Sequence, residues 1–368
     1  MKKLSFLFYI LNIFTFSVSA DVFEYFNDIN SQSPGCAIGV VKKDKLVYER
    51  YFGQANLRYR VPIDEKTVFN LGSITKHFTA ALVLQSEIKG ELSLNDSLKK
   101  YYPQGPSWFS DIKLHHLINH QSGIPDYLND DNTRGQLAKK LSTIPYLLEK
   151  LVVGKPITRD VTLSNVLELM FELPTASFKA GEKASYSNTG YLFLADILEK
   201  SSGISLNELT QKKIFTPLGM YSTELASLNS IEIPWSATGY DVVNASKYEY
   251  RRSSSNLITQ GDGGLLSTLS DFSKWISHLI NTDAYELFKG SFKPMKPALN
   301  LWGTGYINGL SISHVKGEVV YSHGGLSTDS MRSYFWVSPV HKIGYVQLCN
   351  FNFNKRPTIS EIIEVYGA

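Results

Sequence analysis

The sequence predicts an α/β chain in which β pattern at both ends encloses a largely helical middle. Residues 36–42 and 46–54 read as a strand hairpin, and the last hundred residues return to the same alternating, turn-punctuated pattern. Between them run helical patterns that start at residues 71–88 and recur as far as Leu279. Hydrophobic residues make up 43% of the chain, ample for a sizeable core, and 348 residues beyond a leader suit two subdomains sharing a cleft.

Taken in order, Lys2 and Lys3 precede an apolar run over 4–18 and then Ser19-Ala20, the pattern of a cleaved secretory signal over residues 1–20. The run is shorter than the roughly 20 residues of a bilayer span. No cysteine follows it and no later stretch is long and apolar enough to cross, so periplasmic or secreted localisation is expected, with no stable membrane insertion after cleavage. Lys2 and Lys3 supply two of the 37 basic residues; the remaining 35 against 34 acidic residues leave +1, down from +3. That balance, with Arg251-Arg252 as the main basic pair, argues against nucleic acid as a partner.

After the first hairpin, a helix opens at Leu71-Gly72-Ser73-Ile74-Thr75-Lys76 and stops at Gly90. A short helix over 114–120 puts His116 and His120 one turn apart, where helix-end packing outweighs a metal site because no third ligand is near. Residues 129–175 carry two helical patterns, around 137–151 and 165–172, the second ended by Pro174. Residues 179–191 form a glycine turn leading through Tyr186-Ser187-Asn188 into another amphipathic helix. Ser205 and Gly219 bracket a further helix, and Thr268-x-x-Asp271 reads as a capping box for a helix through Trp275. Strands are expected at 309–313, 319–323, 332–337 and 343–348, the first hairpin ending in His323-Gly324-Gly325-Leu326.

Three of these pieces carry chemistry. Ser73 and Lys76 share a helix face, so an amine stands where a weak hydroxyl nucleophile needs a proton acceptor, at a helix start that tolerates negative charge. A phenol such as Tyr186, held near cations, can relay protons, and the carboxamide of Asn188 can hold a substrate carbonyl or the lysine. Gly324 and Gly325 let a substrate lie against bare backbone; structural glycines at a strand turn are the alternative. Each alone is weak: Ser73 could be an ordinary N-cap, and Tyr-x-Asn only a turn.

In order, Ser-Ile-Thr-Lys, Tyr-Ser-Asn and His-Gly-Gly begin at residues 73, 186 and 323, and together they resemble the motifs of the penicillin-recognising serine hydrolases. The branch that is most similar comprises class C β-lactamases, serine DD-carboxypeptidases, D-aminopeptidases and related esterases. Supporting stretches are Val61-Pro62, residues 117–127, Pro217-Leu218-Gly219-Met220 and residues 263–268. The superfamily's usual second and third elements are Ser-Asp-Asn and Lys-Thr-Gly. Tyrosine for serine fits the class C and carboxypeptidase pattern, and histidine for lysine ranks carboxypeptidase, aminopeptidase or esterase chemistry ahead of β-lactam hydrolysis.

Carried over residue by residue, the resemblance makes Ser73 the nucleophile, Lys76 its proton acceptor and Tyr186 the group that protonates the leaving atom and later activates water. Asn188, His323, Gly324 and Gly325 are expected at the substrate, with the N–H groups of Ser73 and Leu326 as the oxyanion hole. The implied fold is an antiparallel sheet built from both chain ends and flanked by helices, about 21–92 and 255–368, with a mostly helical subdomain inserted at about 93–254. It also implies no metal or organic cofactor and a small-molecule or peptidoglycan-derived substrate. A class C-like β-lactamase and a catalytically silent peptidoglycan-binding protein are the alternatives. In that sheet Cys36 and Cys349 can meet; two separate buried thiols are the favoured reading and a disulfide the other.

Overall fold

A computed structural model describes residues 22–133, 135–136, 161–226, 235–244, 247–250, 257–258, 260–281 and 305–367. The leader at 1–20, the helical pattern at 137–151 and Arg251-Arg252 lie outside the described residues.

The core element is a seven-stranded antiparallel sheet. We number its strands β1 (Cys36–Lys42), β2 (Lys45–Phe52), β3 (Gly305–Ile307), β4 (Leu310–Val315), β5 (Glu318–Leu326), β6 (Arg332–Ser338) and β7 (Ile343–Cys349). Their spatial order is β3-β4-β5-β6-β7-β1-β2, so the first strand lies beside the last. Cys36 faces Cys349 in that register and the two form a disulfide, which corrects the favoured sequence reading of separate thiols. The pairing depends on a register set between the two chain ends, and residue type alone does not report it.

Both faces of the sheet are covered, which is why β1 and β7 read as nearly unbroken apolar runs. Ile38 and Val40 face a cluster with Phe23, Phe26, Trp336, Tyr345 and Ile362, the last from the helix Ile359–Tyr366. Ala37 and Val41 face the opposite cluster with Phe335, Val337, Val346 and Leu348, under the helix Leu269–Asn281. Along β5 the residues Val319 and Tyr321 turn to this second side. By the two-residue period His323 and Gly325 turn the same way.

The helix Thr75–Ile88, here α1, runs through that side and is buried on almost every face. A short 3-10 turn, Gly72–Ile74, feeds it, and Ser73 caps nothing. The helical part contains α2 (Leu163–Glu172), capped by Thr162, and α3 (Asn188–Ser202), capped by Ser187 and closed by Gly203 at φ 74°. Ser205 caps a helix at Leu206–Thr210 that continues as a wider turn, Gln211–Phe215. This part also holds a hairpin, Tyr240–Asn244 with Lys247–Tyr250. Its alternating Tyr240, Val242, Tyr248 and Tyr250 favour strand over helix. No helix among the described residues is long and apolar enough to cross a membrane.

Candidate active site

The site is built where the start of α1, the end of β5 and the start of α3 converge. Gly72 adopts φ +53°, and a Cβ there would stand 2.9 Å from the Leu326 carbonyl carbon and 3.0 Å from its nitrogen. Only glycine lets the turn carrying Ser73 come this close to the backbone of β5. Gly325 meets the same demand from the sheet, since a Cβ would fall 2.0 Å from the Leu71 carbonyl oxygen and 2.4 Å from Ser333 Oγ. Gly324 and Gly325 lie within β5, paired with Tyr334 and Ser333. The turn reading of these glycines is therefore corrected: both lie in a strand, and Gly325 serves a close approach between strand and helix start, whereas a Cβ on Gly324 would meet only ordinary contacts at 3.7 Å from Ser333 and Tyr334.

Lys76 is fully buried, and its Nζ lies 3.2 Å from Ser73 Oγ, 2.6 Å from Asn188 Oδ1 and 2.6 Å from the Asp262 carbonyl oxygen. An ammonium has three protons for these three acceptors. A neutral amine would give its two protons to Asn188 and Asp262, whose oxygens only accept, and turn its lone pair on the serine hydroxyl. Either way the nitrogen cannot move off Ser73 without breaking a short bond. It also sits 4.9 Å from the centre of the Tyr186 ring.

Two acidic residues support this arrangement from behind. Asp126 is 6% exposed and accepts from Asn188 N at 3.0 Å and Asn188 Nδ2 at 2.9 Å, so the amide must present its oxygen to Lys76. Asp262 accepts from Tyr127 Oη at 2.8 Å. Burial pushes its carboxyl above the usual range, opposed by the charge of Lys76 and the Tyr127 bond.

His323 Nδ1 is 2.7 Å from the Gly324 carbonyl oxygen, which can only accept, so Nδ1 carries the proton. Its Nε2 then accepts from Tyr306 Oη at 3.1 Å. Burial and the Lys76 charge hold this imidazole down at about 4, and the Gly324 bond opposes them only in part. His323 therefore stands in the site as a neutral ring. His116 and His120 take separate partners, Lys113 N and Ser187 N, and the helix over Leu114–Ile118 ends before His120. Among the described residues no group of three His, Cys, Asp or Glu side chains is placed to hold a metal.

Ser73, Tyr186, Asn188, His323, Gly324, Gly325 and Leu326 all line one cavity of about 650 Å³, so the structure brings the sequence-predicted residues together, with Lys76 directly beneath. A family model described as Beta-lactamase matches residues 20–364. The chain belongs to the β-lactamase family. This β-lactamase-family chain is 30% identical over 297 residues to penicillin-binding protein 4* of Bacillus subtilis (strain 168), covering 76% of this chain and 60% of that protein. It is 27% identical over 329 residues to a D-aminopeptidase of Brucella anthropi, covering 88% and 57%. The structure of the octameric penicillin-binding protein homologue from Pyrococcus abyssi superposes with a TM-score of 0.72 at 27% identity, covering 94% of this chain and 75% of that one. The chain thus spans under two thirds of the length of these two curated relatives.

Membership of the β-lactamase family, a family of serine hydrolases, leaves several residues of this site that sequence reading passed over. Asp126 and Tyr127 carry no signal of their own within residues 117–127, and the sequence around His120 points to helix-end packing. Asp262 acts partly through its main-chain oxygen, which no residue type announces. Tyr306 lay outside the expected strands, and its partnership with His323 depends on the pairing of β3 with β4.

Proposed function

We propose that the protein is a secreted hydrolase that forms a covalent acyl-serine on Ser73, acting on D-aminoacyl peptides or amides and on short esters. The observation that carries this is the hold on Lys76, whose nitrogen is fixed 3.2 Å from Ser73 Oγ by Asn188 and the Asp262 carbonyl at the floor of an open cavity. As Ser73 Oγ bonds to the acyl carbon, its proton passes to Lys76 Nζ. Negative charge on the substrate oxygen is met by the N–H groups of Ser73 and Leu326, which the Gly72 and Gly325 contacts draw together. Tyr186 hands a proton to the leaving nitrogen or oxygen and later takes one from the water that releases the acyl group. The disulfide supports an oxidising compartment, in line with the leader pattern. The D-aminopeptidase and penicillin-binding names of the relatives support the substrate class. A penicillin should acylate Ser73 and leave slowly, because His323 stands neutral where an efficient β-lactamase of the family carries lysine.

The test is a side-by-side assay of the mature protein on D-alanine p-nitroanilide, a D-alanyl-D-alanine peptide, p-nitrophenyl butyrate and a chromogenic cephalosporin, with intact-mass detection of adducts. Hydrolysis of the ester or of a D-aminoacyl substrate, lost in Ser73→Ala, is the expected result. An adduct on another serine, or efficient turnover of the cephalosporin alone, would overturn the reading.

A further inference from the structure

His120 touches the segment that carries Tyr186 in three places. Its carbonyl oxygen accepts from Ser185 N at 2.8 Å, its Nδ1 accepts from Ser187 N at 3.1 Å, and its ring lies over the Tyr186 ring with centroids 4.3 Å apart. The two backbone N–H groups on either side of Tyr186 are thus held by one residue. His120 does this from the left-handed region, φ +58°, which histidine tolerates better than most side chains.

The ring is an imidazole at a cost. Since Nδ1 accepts from an N–H, the proton of the neutral ring must sit on Nε2, and that atom is buried with no hydrogen-bond partner among the described residues. A phenyl ring would stack on Tyr186 without that unpartnered group. What the imidazole adds is the acceptor for Ser187 N–H. The groups that face it are Lys76 from α1, Tyr186 and Tyr191 from the start of α3, Tyr306 from β3 and His323 from β5. Burial first, then the charge of Lys76, push its protonation far to the acid side, and His323 adds to this only once it is itself protonated. The Ser187 bond therefore survives at neutral pH.

We infer that His120 is a positioning residue for Tyr186: through Nδ1 and its carbonyl it fixes the Ser185–Ser187 backbone, and through its ring it sets the plane of the phenol against Lys76 and the cavity. This rests on the proposed role of Tyr186 as proton carrier. Two substitutions divide the contacts. His120→Phe keeps a ring and loses the acceptor; His120→Asn loses the ring but keeps an oxygen near the Nδ1 position and tolerates positive φ.

The experiment measures single-turnover acylation of Ser73 by D-alanine p-nitroanilide, whose leaving nitrogen must take up a proton, in wild type, His120→Phe, His120→Asn, Tyr186→Phe and the His120→Phe/Tyr186→Phe double variant, with unfolding midpoints recorded for each. His120→Phe should slow acylation about 10²-fold, the scale of a misplaced catalytic group, with kcat falling and KM little changed. His120→Asn should recover part of that loss. In the Tyr186→Phe background the same His120→Phe change should cost under about threefold, because its effect runs through the phenol. Wild-type acylation in His120→Phe with a slow Tyr186→Phe would overturn the inference and leave the functional reading intact, as would equal losses in both backgrounds. Full activity of Tyr186→Phe would overturn the tyrosine reading itself and this inference with it.

Discussion

Replacing Asp126 by asparagine keeps the side-chain volume and exchanges one acceptor oxygen for a donor. Oδ1 accepts from Leu128 N at 2.8 Å and Asn129 N at 3.2 Å, while Oδ2 accepts from Asn188 N at 3.0 Å, Asn188 Nδ2 at 2.9 Å and Asn129 Nδ2 at 3.0 Å. An asparagine has one oxygen, so whichever way it turns its amide nitrogen meets at least two N–H donors. Bonds to a carboxylate contribute about 1.5–3 kcal/mol each, so losing two predicts on the order of 3–6 kcal/mol, reduced where the loop relaxes. The damage reaches the chemistry through one atom. Asn188 released from Asp126 no longer has to aim Oδ1 at Lys76, and the 2.6 Å bond that steadies the amine over Ser73 weakens. Acylation should fall about 10²-fold in the protein that remains folded. Urea unfolding of Asp126→Asn beside wild type reads the first effect, and fluorophosphonate labelling of Ser73 at low urea reads the second. Unfolding within 1 kcal/mol of wild type (about the usual effect of a neutral hydrogen bond) together with undiminished labelling would refute the reasoning.

Three further outcomes follow from the same contacts. His323 sits at about 4 in the folded chain against about 6.5 unfolded, so stability should be full above pH 6.5 and fall as pH drops to about 4, by up to about 1.4 kcal/mol per unit; His323→Gln should flatten part of that slope in thermal melts, and an unchanged slope would contradict the buried neutral ring. Cutting the disulfide, which closes 313 residues of chain, should lower stability by on the order of 5 kcal/mol in the chain-entropy account, so the urea midpoint with and without a reductant should separate clearly. Gly325→Ala must push Leu71 and Ser333 away from β5 and should cost about 1–3 kcal/mol by overpacking, with loss of Ser73 labelling greater than the unfolding explains.

How much of this was readable beforehand depended on whether chemistry or geometry chose the residue. Ser73 and Lys76 were legible because their reaction requires a helical spacing of three, and Tyr186 and Asn188 because their order in the chain matches a known set. His323-Gly324-Gly325 is legible as a place of close approach, with turn glycines as the alternative, because local pattern ends the strand near His323 and does not show that β5 runs on to Leu326. Asp126 and His120 were invisible in their roles: their partners lie 62 and 67 residues away, and an aspartate before a tyrosine or a histidine at a helix end has many bland uses. The fold class followed from pattern at the chain ends, whereas the hairpin Tyr240–Asn244 with Lys247–Tyr250 was absorbed into a helical middle because its alternation is only a few residues long. For Cys36 and Cys349 the sequence favours separate thiols over a disulfide, since a register between strands at opposite ends of a chain leaves no local trace.

That pairing of first strand with last has a consequence for how the protein is made. The hairpin of β1 and β2 leaves the ribosome about 300 residues before β7, a delay of roughly 15–60 s at ordinary rates of synthesis. Through that interval the β1 edge has unpaired N–H and C=O groups and no partner within the nascent chain, the condition in which strands recruit wrong neighbours. The helix bearing Ser73 and Lys76 can form early from local contacts, but Leu326 and Gly325 can reach it only after β5 has been made. The hydroxyl of Ser73 is therefore carried on a nascent chain with no backbone donor from β5 opposite it, and the strand that completes the sheet is also the one whose arrival lets Cys349 meet Cys36.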